Sequence, residues 1–248
     1  MEFKTREEVY DFLKKCTYLD EGSQGKCYVD KEKKLVYKLY FSFLDPDDED
    51  VILTESDILA FKDIKTNMII FPKDVIKLNG VVIGDMTRYV NAQNLYKINP
   101  LTLDINWLLS LCELALKEIE LISKEHIKIF DMLYNIMLGN KFYIVDTLEY
   151  SKSQEDYTKI LLTNLSQFNL SIVFFLVSGI FEEVIKDNHF LNSMYKSLGC
   201  GISIIEFIKE LKKYLSELVG KEIKTLEEAR SLVDKEKSET SYMRLLEL

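Results

Sequence analysis

A chain of 248 residues with 47% apolar residues can fill the core of one large domain or two modest lobes. Its formal charge of -9 argues against a general nucleic-acid surface, because binding that backbone needs clustered Lys and Arg to neutralise phosphates. Three prolines and nine glycines leave little room for linkers or low-complexity segments.

The first element is a short helix over residues 5 to 16. Thr5 is its N-cap and Glu8 stands three residues on, the capping-box pattern, with Val9, Tyr10, Phe12 and Leu13 at helical spacing. The stretch MEFKTREEVYDFLKKC is charged and helical, so it is not read as a signal peptide. Cys16, Cys27, Cys112 and Cys200 lie far apart with no CxxC pair. Neither a zinc site nor a disulfide framework is suggested, and reduced thiols are expected.

Short β-rich pieces follow: TYLDEG, KCYVD and KLVYKLYF, then a helical TESDILAFKDI, then MIIFPKDVIKLNGVVIGDMTRYV. Asn79-Gly80 between two apolar runs predicts a two-residue hairpin, because a type I′ turn needs positive φ at both positions. The acidic FLDPDDEDV, residues 43 to 51, reads as a solvated loop entering the inserted helix. Residues 1–90 are therefore expected to form a small antiparallel lobe with one inserted helix.

From residue 91 to 248 the pattern is mainly helical. LTLDINWLLSLCELALKEIELISKEH keeps helical periodicity behind Pro100, and HIKIFDMLYNIMLGNKFYIVDTLEYS interrupts it with a hairpin turning at Gly-Asn. Helices are then expected at SQEDYTKILLTNL, NLSIVFFLVSGIFEEVIK, SIIEFIKELKKYLSELV and TLEEARSLVDK. Phe168, Phe174, Phe175 and Phe181 make a core stripe. The apolar run Leu170 to Phe181 has twelve residues, whereas a membrane span needs roughly 20. The mixed charge of KELKKYLSEL, residues 209 to 218, fits packing rather than membrane attachment. These readings predict a cytoplasmic chain with no membrane and no nucleic-acid partner.

Phosphoryl transfer from a nucleotide needs backbone amides near the phosphates, a fixed positive charge, and hard oxygens for magnesium. Gly22 and Gly25 stand in the first strand turn, Lys38 lies on the third strand, and Glu55 opens the inserted helix within reach of an ion pair. Asp131 and Asn135 precede the NIML strand and Asp146 ends the IVD strand. Each has a plainer reading. The glycines fit a surface turn, Glu55 a first-turn acid favoured by the helix dipole, Asn135 a cap, and Asp146 a strand-ending turn.

Taken in order, these residues resemble the protein kinase-like superfamily, in the broad sense that includes bacterial Ser/Thr kinases and aminoglycoside or choline phosphotransferases. LDEGSQGKCYV resembles the glycine-rich loop, with Asp20 where the first of three glycines often stands, and LVYKLY the lysine strand. TESDILAF resembles the helix whose glutamate pairs that lysine, VVIGDMTRYVNAQNL the fifth strand and hinge, HIKIFDMLYNIML the catalytic loop, and FYIVDTLEY the metal-binding segment. The resemblance implies an α+β, bilobal protein kinase-like fold, with a β-rich N-lobe and a larger helical C-lobe carrying the catalytic loop and metal-binding hairpin. It implies ATP and Mg2+ as cofactors and a hydroxyl on a protein or a small molecule as acceptor. Gly22, Ser23, Gly25 and Lys38 would hold phosphates, with Glu55 pairing Lys38 and Asp57 as its understudy. Thr87, Arg88 and Val90 would line the adenine, Asp131 would be the catalytic base, and Asn135 and Asp146 would bind metal.

The sequence also departs from the family. Asn135 follows Asp131 by four residues, one fewer than usual, and His126 stands five before Asp131, farther than the family histidine. Leu133 occupies the place of a lysine that often stabilises the transferred group. TLEY follows Asp146 without phenylalanine and glycine, and no APE-like segment comes after. A pseudokinase or nucleotide-binding interaction module is therefore the alternative to an active enzyme, with a small-molecule kinase as a further one.

Overall fold

A computed structural model describes residues 1–45 and 53–233. Two compact units emerge: Met1–Asn91 together with Val145–Leu148, and Ala92–Ile144 together with the chain from Glu149 onward.

The first unit is built on a six-stranded sheet. Its strands are β1 (Glu2–Phe3), β2 (Thr17–Gly22), β3 (Gly25–Asp30), β4 (Leu35–Tyr40), β5 (Asp74–Leu78) and β6 (Val81–Arg88). They lie in the order β1-β5-β6-β4-β3-β2. All neighbours are antiparallel except β1, which runs parallel to β5. The strand at Glu2–Phe3 was not foreseen in a charged N-terminus; the Glu2 carboxylate accepts the Gly80 N–H at 2.8 Å, and Phe3 lies 5.6 Å from the Phe12 ring. Asn79 and Gly80 have φ of 49° and 82°, as the hairpin between β5 and β6 requires.

Helix α1 (Arg6–Leu13) is capped by Thr5, whose side chain accepts the Glu8 N–H. It buries Val9 and Leu13 against Tyr37, Leu39, Phe43, Ile76 and Ile83, and Phe12 meets Tyr37 edge-on at 4.8 Å. Each fully buried aliphatic of this kind contributes about 1.5–3 kcal/mol. Helix α2 (Phe41–Leu44) follows β4 directly. The rest of the acidic run, from residue 46 to 51, lies outside the described residues.

The inserted helix is shorter than its sequence pattern suggests: α3 spans only Glu55–Ile58. Beyond it the backbone bonds run three residues back, from Ala60 to Asp57, Lys62 to Leu59 and Ile64 to Phe61. That tighter winding turns Ile58 and Phe61 inward together, and Phe61 packs on Phe71 at 5.4 Å.

In the second unit the order is β7 (Gln93–Asn94), α4 (Ile105–Lys124), β8 (Ile127–Lys128), β9 (Ile136–Leu138), β10 (Phe142–Ile144), β11 (Ser151–Lys152), α5 (Tyr157–Leu176), α6 (Glu182–Lys186), α7 (His189–Ser197) and α8 (Ile204–Val219). β10, β9 and β7 form one small sheet, and β11 pairs with β8. The two helices expected between residues 153 and 186 divide elsewhere. No breaker stands near Gln167, so α5 runs unbroken through it, and the chain turns at Gly179 with φ 80°. TLEEARSL forms a 3₁₀ stretch, Leu226–Leu232.

Counted as a whole helix, α5 is long and apolar enough by length and composition to cross a membrane, with mean hydropathy 1.3 and half of that window buried. This corrects the shorter apolar run read from sequence. Phe168, Ile172 and Phe175 are wholly buried, and Phe168 lies edge-on to Phe142 at 6.0 Å. Asn164 and Asn169 are buried on the same helix with hydrogen-bonded side chains, as in a core helix.

Candidate functional site

Lys38 is the centre of the polar group in the first unit. Its neighbours across the ladders are Cys27 on β3 and Asp85 on β6, and residues directly opposite share one sheet face. The lysine is only 9% exposed. Its Nζ donates to Asp146 Oδ1 and to Gln24 Oε1, both at 2.8 Å. A buried ammonium without such partners would be costly, so the contacts fix the side chain. Gln24 belongs to the β2–β3 turn, and Asp146 lies 108 residues beyond Lys38 in the chain. Thus the turn, the strand lysine and one predicted metal ligand meet.

The two glycines of that turn do different things. A Cβ at Gly25 would lie 2.1 Å from the Leu39 carbonyl oxygen, so strand packing alone demands glycine there. Gly22 has nothing within 4 Å of its missing Cβ, which leaves its backbone approachable, and Ser23 beside it is exposed. On β6, Gly84 is constrained like Gly25: its Cβ would meet the Lys38 carbonyl oxygen at 2.1 Å.

Glu55 does not take the place expected for it. Its carboxylate pairs with Lys77 Nζ at 2.6 Å and its side chain is 48% exposed. Lys38 is held by Asp146 and Gln24 instead. Asp57 is also engaged elsewhere, closing the capping box with Thr54. The one-turn helix leaves both acids at its solvent-facing start.

Asp85 is the residue that sequence reasoning missed. It is 3% exposed, and its Oδ2 accepts the Tyr40 hydroxyl at 2.9 Å. Burial pushes its carboxyl up to about 6, against the opposing pull of Lys38 and the Tyr40 hydrogen bond. Burial likewise raises the Cys27 thiol to about 11 and raises the Tyr40 hydroxyl, the latter helped by Asp85. The available signal was an acid inside the apolar strand VVIGDMT, where a carboxylate has no ordinary reason to lie.

At the end of β6, Thr87 pairs with Val36 and Arg88 with Leu35. The Arg88 guanidinium donates to the Asn67 carbonyl at 2.6 Å and, longer, to Thr66 at 3.5 Å. The Tyr89 N–H is taken by the Lys34 carbonyl at 2.9 Å, and partly buried Val90 follows.

In the second unit, exposed Asp131 has φ 47° and Asn135 Nδ2 donates to its carbonyl at 2.9 Å. The Asn135 N–H adds a bond to Met132 at 3.1 Å, so the four-residue spacing closes a tight turn. Asp146 also has positive φ, 55°. Left-handed backbone is uncommon outside glycine, and aspartate is among the residues that tolerate it. His126 is exposed at the head of the loop with φ 56°, and its carbonyl accepts from Ser153 at 2.8 Å.

Asn164 of α5, wholly buried, anchors this loop. It accepts the Ile129 N–H at 2.8 Å and donates to the Ile127 carbonyl and Ser123 Oγ, both at 2.9 Å. Nothing in the sequence pattern distinguishes it from a surface asparagine.

Among the described residues, no three His, Cys, Asp or Glu side chains gather as a self-sufficient metal cage. The donor chemistry nevertheless fits magnesium, which takes few protein oxygens and completes its shell with water and phosphate. Within the first unit Asp146 meets Lys38 through Oδ1 and is partly exposed; within the second, separately, Asn135 spends Nδ2 on the Asp131 carbonyl.

No family model matches this sequence, and no curated protein does. Solved structures do. The Mycobacterium tuberculosis PknI kinase domain is similar at 11% identity with a TM-score of 0.53, covering 81% of this chain and 96% of that one. A cysteine-to-alanine mutant of the same domain gives 12% identity, a TM-score of 0.54, and coverage of 81% and 95%. At such identity the likeness establishes the fold: α+β and protein kinase-like, with a small β-rich lobe and a larger helical one.

Proposed function

We propose that the chain is an ATP- and magnesium-dependent phosphotransferase acting on a hydroxyl group. The observation that carries this reading is the contact of buried Lys38 with Asp146 at 2.8 Å, joined by Gln24 of the glycine turn. A lysine so fixed is a ready partner for phosphate oxygens, and a partly exposed carboxylate beside it suits a cation.

In this reading residues 1–90 form the nucleotide-binding lobe and residues 91–248 the lobe with the catalytic loop. Lys38 takes the α- and β-phosphates, the backbone at Gly22 and Ser23 covers them, and Thr87 to Val90 meets adenine. Gly25 contributes by shaping the turn. Asp146 and Asn135 are the residues that would hold magnesium through their side-chain oxygens, and the ion would offset phosphate charge. Asp131 accepts the acceptor's proton as its oxygen bonds to the γ-phosphorus and the bond to ADP breaks. Positioning and charge stabilisation account for the catalysis. The acceptor is a protein or small-molecule hydroxyl, in a cytoplasmic setting with neither nucleic acid nor membrane required.

A second reading, a nucleotide-binding module without turnover, is favoured by the engagement of Glu55 with Lys77 and by Leu133. The two are separated by magnesium-dependent binding of a fluorescent ATP analogue and by ATP turnover, measured for the unsubstituted chain, Asp131→Ala and Asp146→Ala. Binding and turnover that both substitutions suppress is the expected result. Binding without turnover, indifferent to Asp131→Ala, supports the module, and turnover indifferent to both substitutions overturns the site.

A further inference from the structure

Of the two partners of Lys38, only neutral Gln24 stays with it if Asp146 serves a cation, so a lysine that must take phosphate needs a further counter-charge. In this fold the sequence pattern assigned that duty to Glu55, which instead lies on Lys77 at 2.6 Å. Resting on the nucleotide reading above, we propose that Asp85, on the neighbouring strand, is the buried counter-charge that positions Lys38 for phosphate, with Tyr40 orienting it.

Three observations carry this. Lys38 and Asp85 are direct partners in the β4–β6 ladder, so both side chains leave the same sheet face. Asp85 is 3% exposed and Lys38 9%, so the two charges are little screened by solvent, and Lys38 pulls the Asp85 carboxyl down against its burial while its own Nζ bonds go to Asp146 and Gln24. Tyr40, two residues along β4 and therefore on the same face, donates its hydroxyl to Asp85 Oδ2 at 2.9 Å. That bond occupies one carboxylate oxygen and sets the plane of the group. Gly84 adds a fourth constraint, since only glycine lets β6 approach the Lys38 backbone so closely. The groups acting on Asp85 are Lys38 and Tyr40 from β4, Cys27 from β3, and Asp146.

A carboxylate buried in an otherwise apolar strand lowers stability, and its retention is explained if it serves the site. The helix acid of the sequence pattern is replaced by one built into the sheet. A strand position paired on both sides is also held more firmly by its ladders than the start of a one-turn helix.

The test is a double-mutant cycle with Asp85→Asn and Lys38→Met, each isosteric or nearly so, read two ways. Affinity for the magnesium complex of a fluorescent ATP analogue is expected to fall about tenfold in Asp85→Asn, and no further when Asp85→Asn is added to Lys38→Met, because one acts through the other. In the same samples without nucleotide, Asp85→Asn is expected to raise Tm, and Lys38→Met to lower it by about 3–6 °C unless Asp85→Asn is also present. Lost affinity with gained stability separates a positioning role from a structural one. Unchanged affinity in Asp85→Asn, or additive effects in the cycle, would overturn the proposal. Failure of the unsubstituted chain to bind the analogue would sink the nucleotide reading, and with it the positioning role. The nucleotide-free cycle would still decide whether Asp85 and Lys38 are coupled.

Discussion

The Asn164 side-chain oxygen accepts the Ile129 backbone N–H at 2.8 Å, tying the middle of α5 to the loop that leads into Asp131. The same amide donates to the Ile127 carbonyl and to Ser123 Oγ, so one buried side chain makes three hydrogen bonds to the helix end and the loop. Asn164→Ala should remove all three bonds and cost roughly 2–4 kcal/mol in urea unfolding. Turnover should fall more than nucleotide affinity, because the loop carries Asp131. A stability loss below about 0.5 kcal/mol would contradict the anchoring role.

Gly22 and Gly25 offer a contrast within one turn. With the Leu39 carbonyl oxygen 2.1 Å from its virtual Cβ, Gly25→Ala must push β3 from β4, at a cost of about 2–3 kcal/mol. Gly22→Ala meets nothing and should leave Tm nearly unchanged while weakening ATP-analogue binding. Equal thermal shifts in the two variants would show that the space around them does not govern the turn.

The Glu55–Lys77 pair is exposed enough on the acid side to contribute little. Glu55→Gln should change stability by less than about 1 kcal/mol. Analogue affinity should also hold within about twofold, corresponding to a few tenths of a kcal/mol. A tenfold loss would restore Glu55 to the role that the sequence pattern suggests.

Asp85 predicts a pH signature. Its folded-state carboxyl is raised to about 6 from 3.8, so between those values the native chain binds a proton that the unfolded chain has released. This contribution to stability is present below about pH 4 and is lost as pH rises through about 6. Asp85→Asn lacks it. The variant's advantage in urea unfolding should therefore be smallest near pH 4.5 and should reach a plateau on the order of 2–3 kcal/mol above pH 7. A gap that is constant from pH 4.5 to 8 would exclude titration of Asp85 in this window.

Local signals reported much of the architecture. Thr5 with Glu8, Asn79-Gly80, and the long periodicity ahead of His126 each encode geometry in adjacent residues, and all three reappear as helix cap, type I′ turn and α4. The errors arose where distant packing decides. β1 exists because β5 offers it an edge, α3 gives way after Ile58 to bonds that run three residues back, and α5 continues because nothing in it forces a break.

The sequence by itself determined the order of the chemistry-bearing residues, Gly22, Lys38, Asp131, Asn135 and Asp146, and the kind of element each would sit on. Spacing and periodicity are local, and a single chain displays them directly. Which acids surround Lys38 was decided only by tertiary structure, which brings Asp146 onto its Nζ at 2.8 Å. Ladder register sets Asp85 opposite Lys38 on the next strand, 47 positions along, while Glu55 pairs with Lys77. Such pairings depend on strand alignment and burial, which emerge only when the sheet closes.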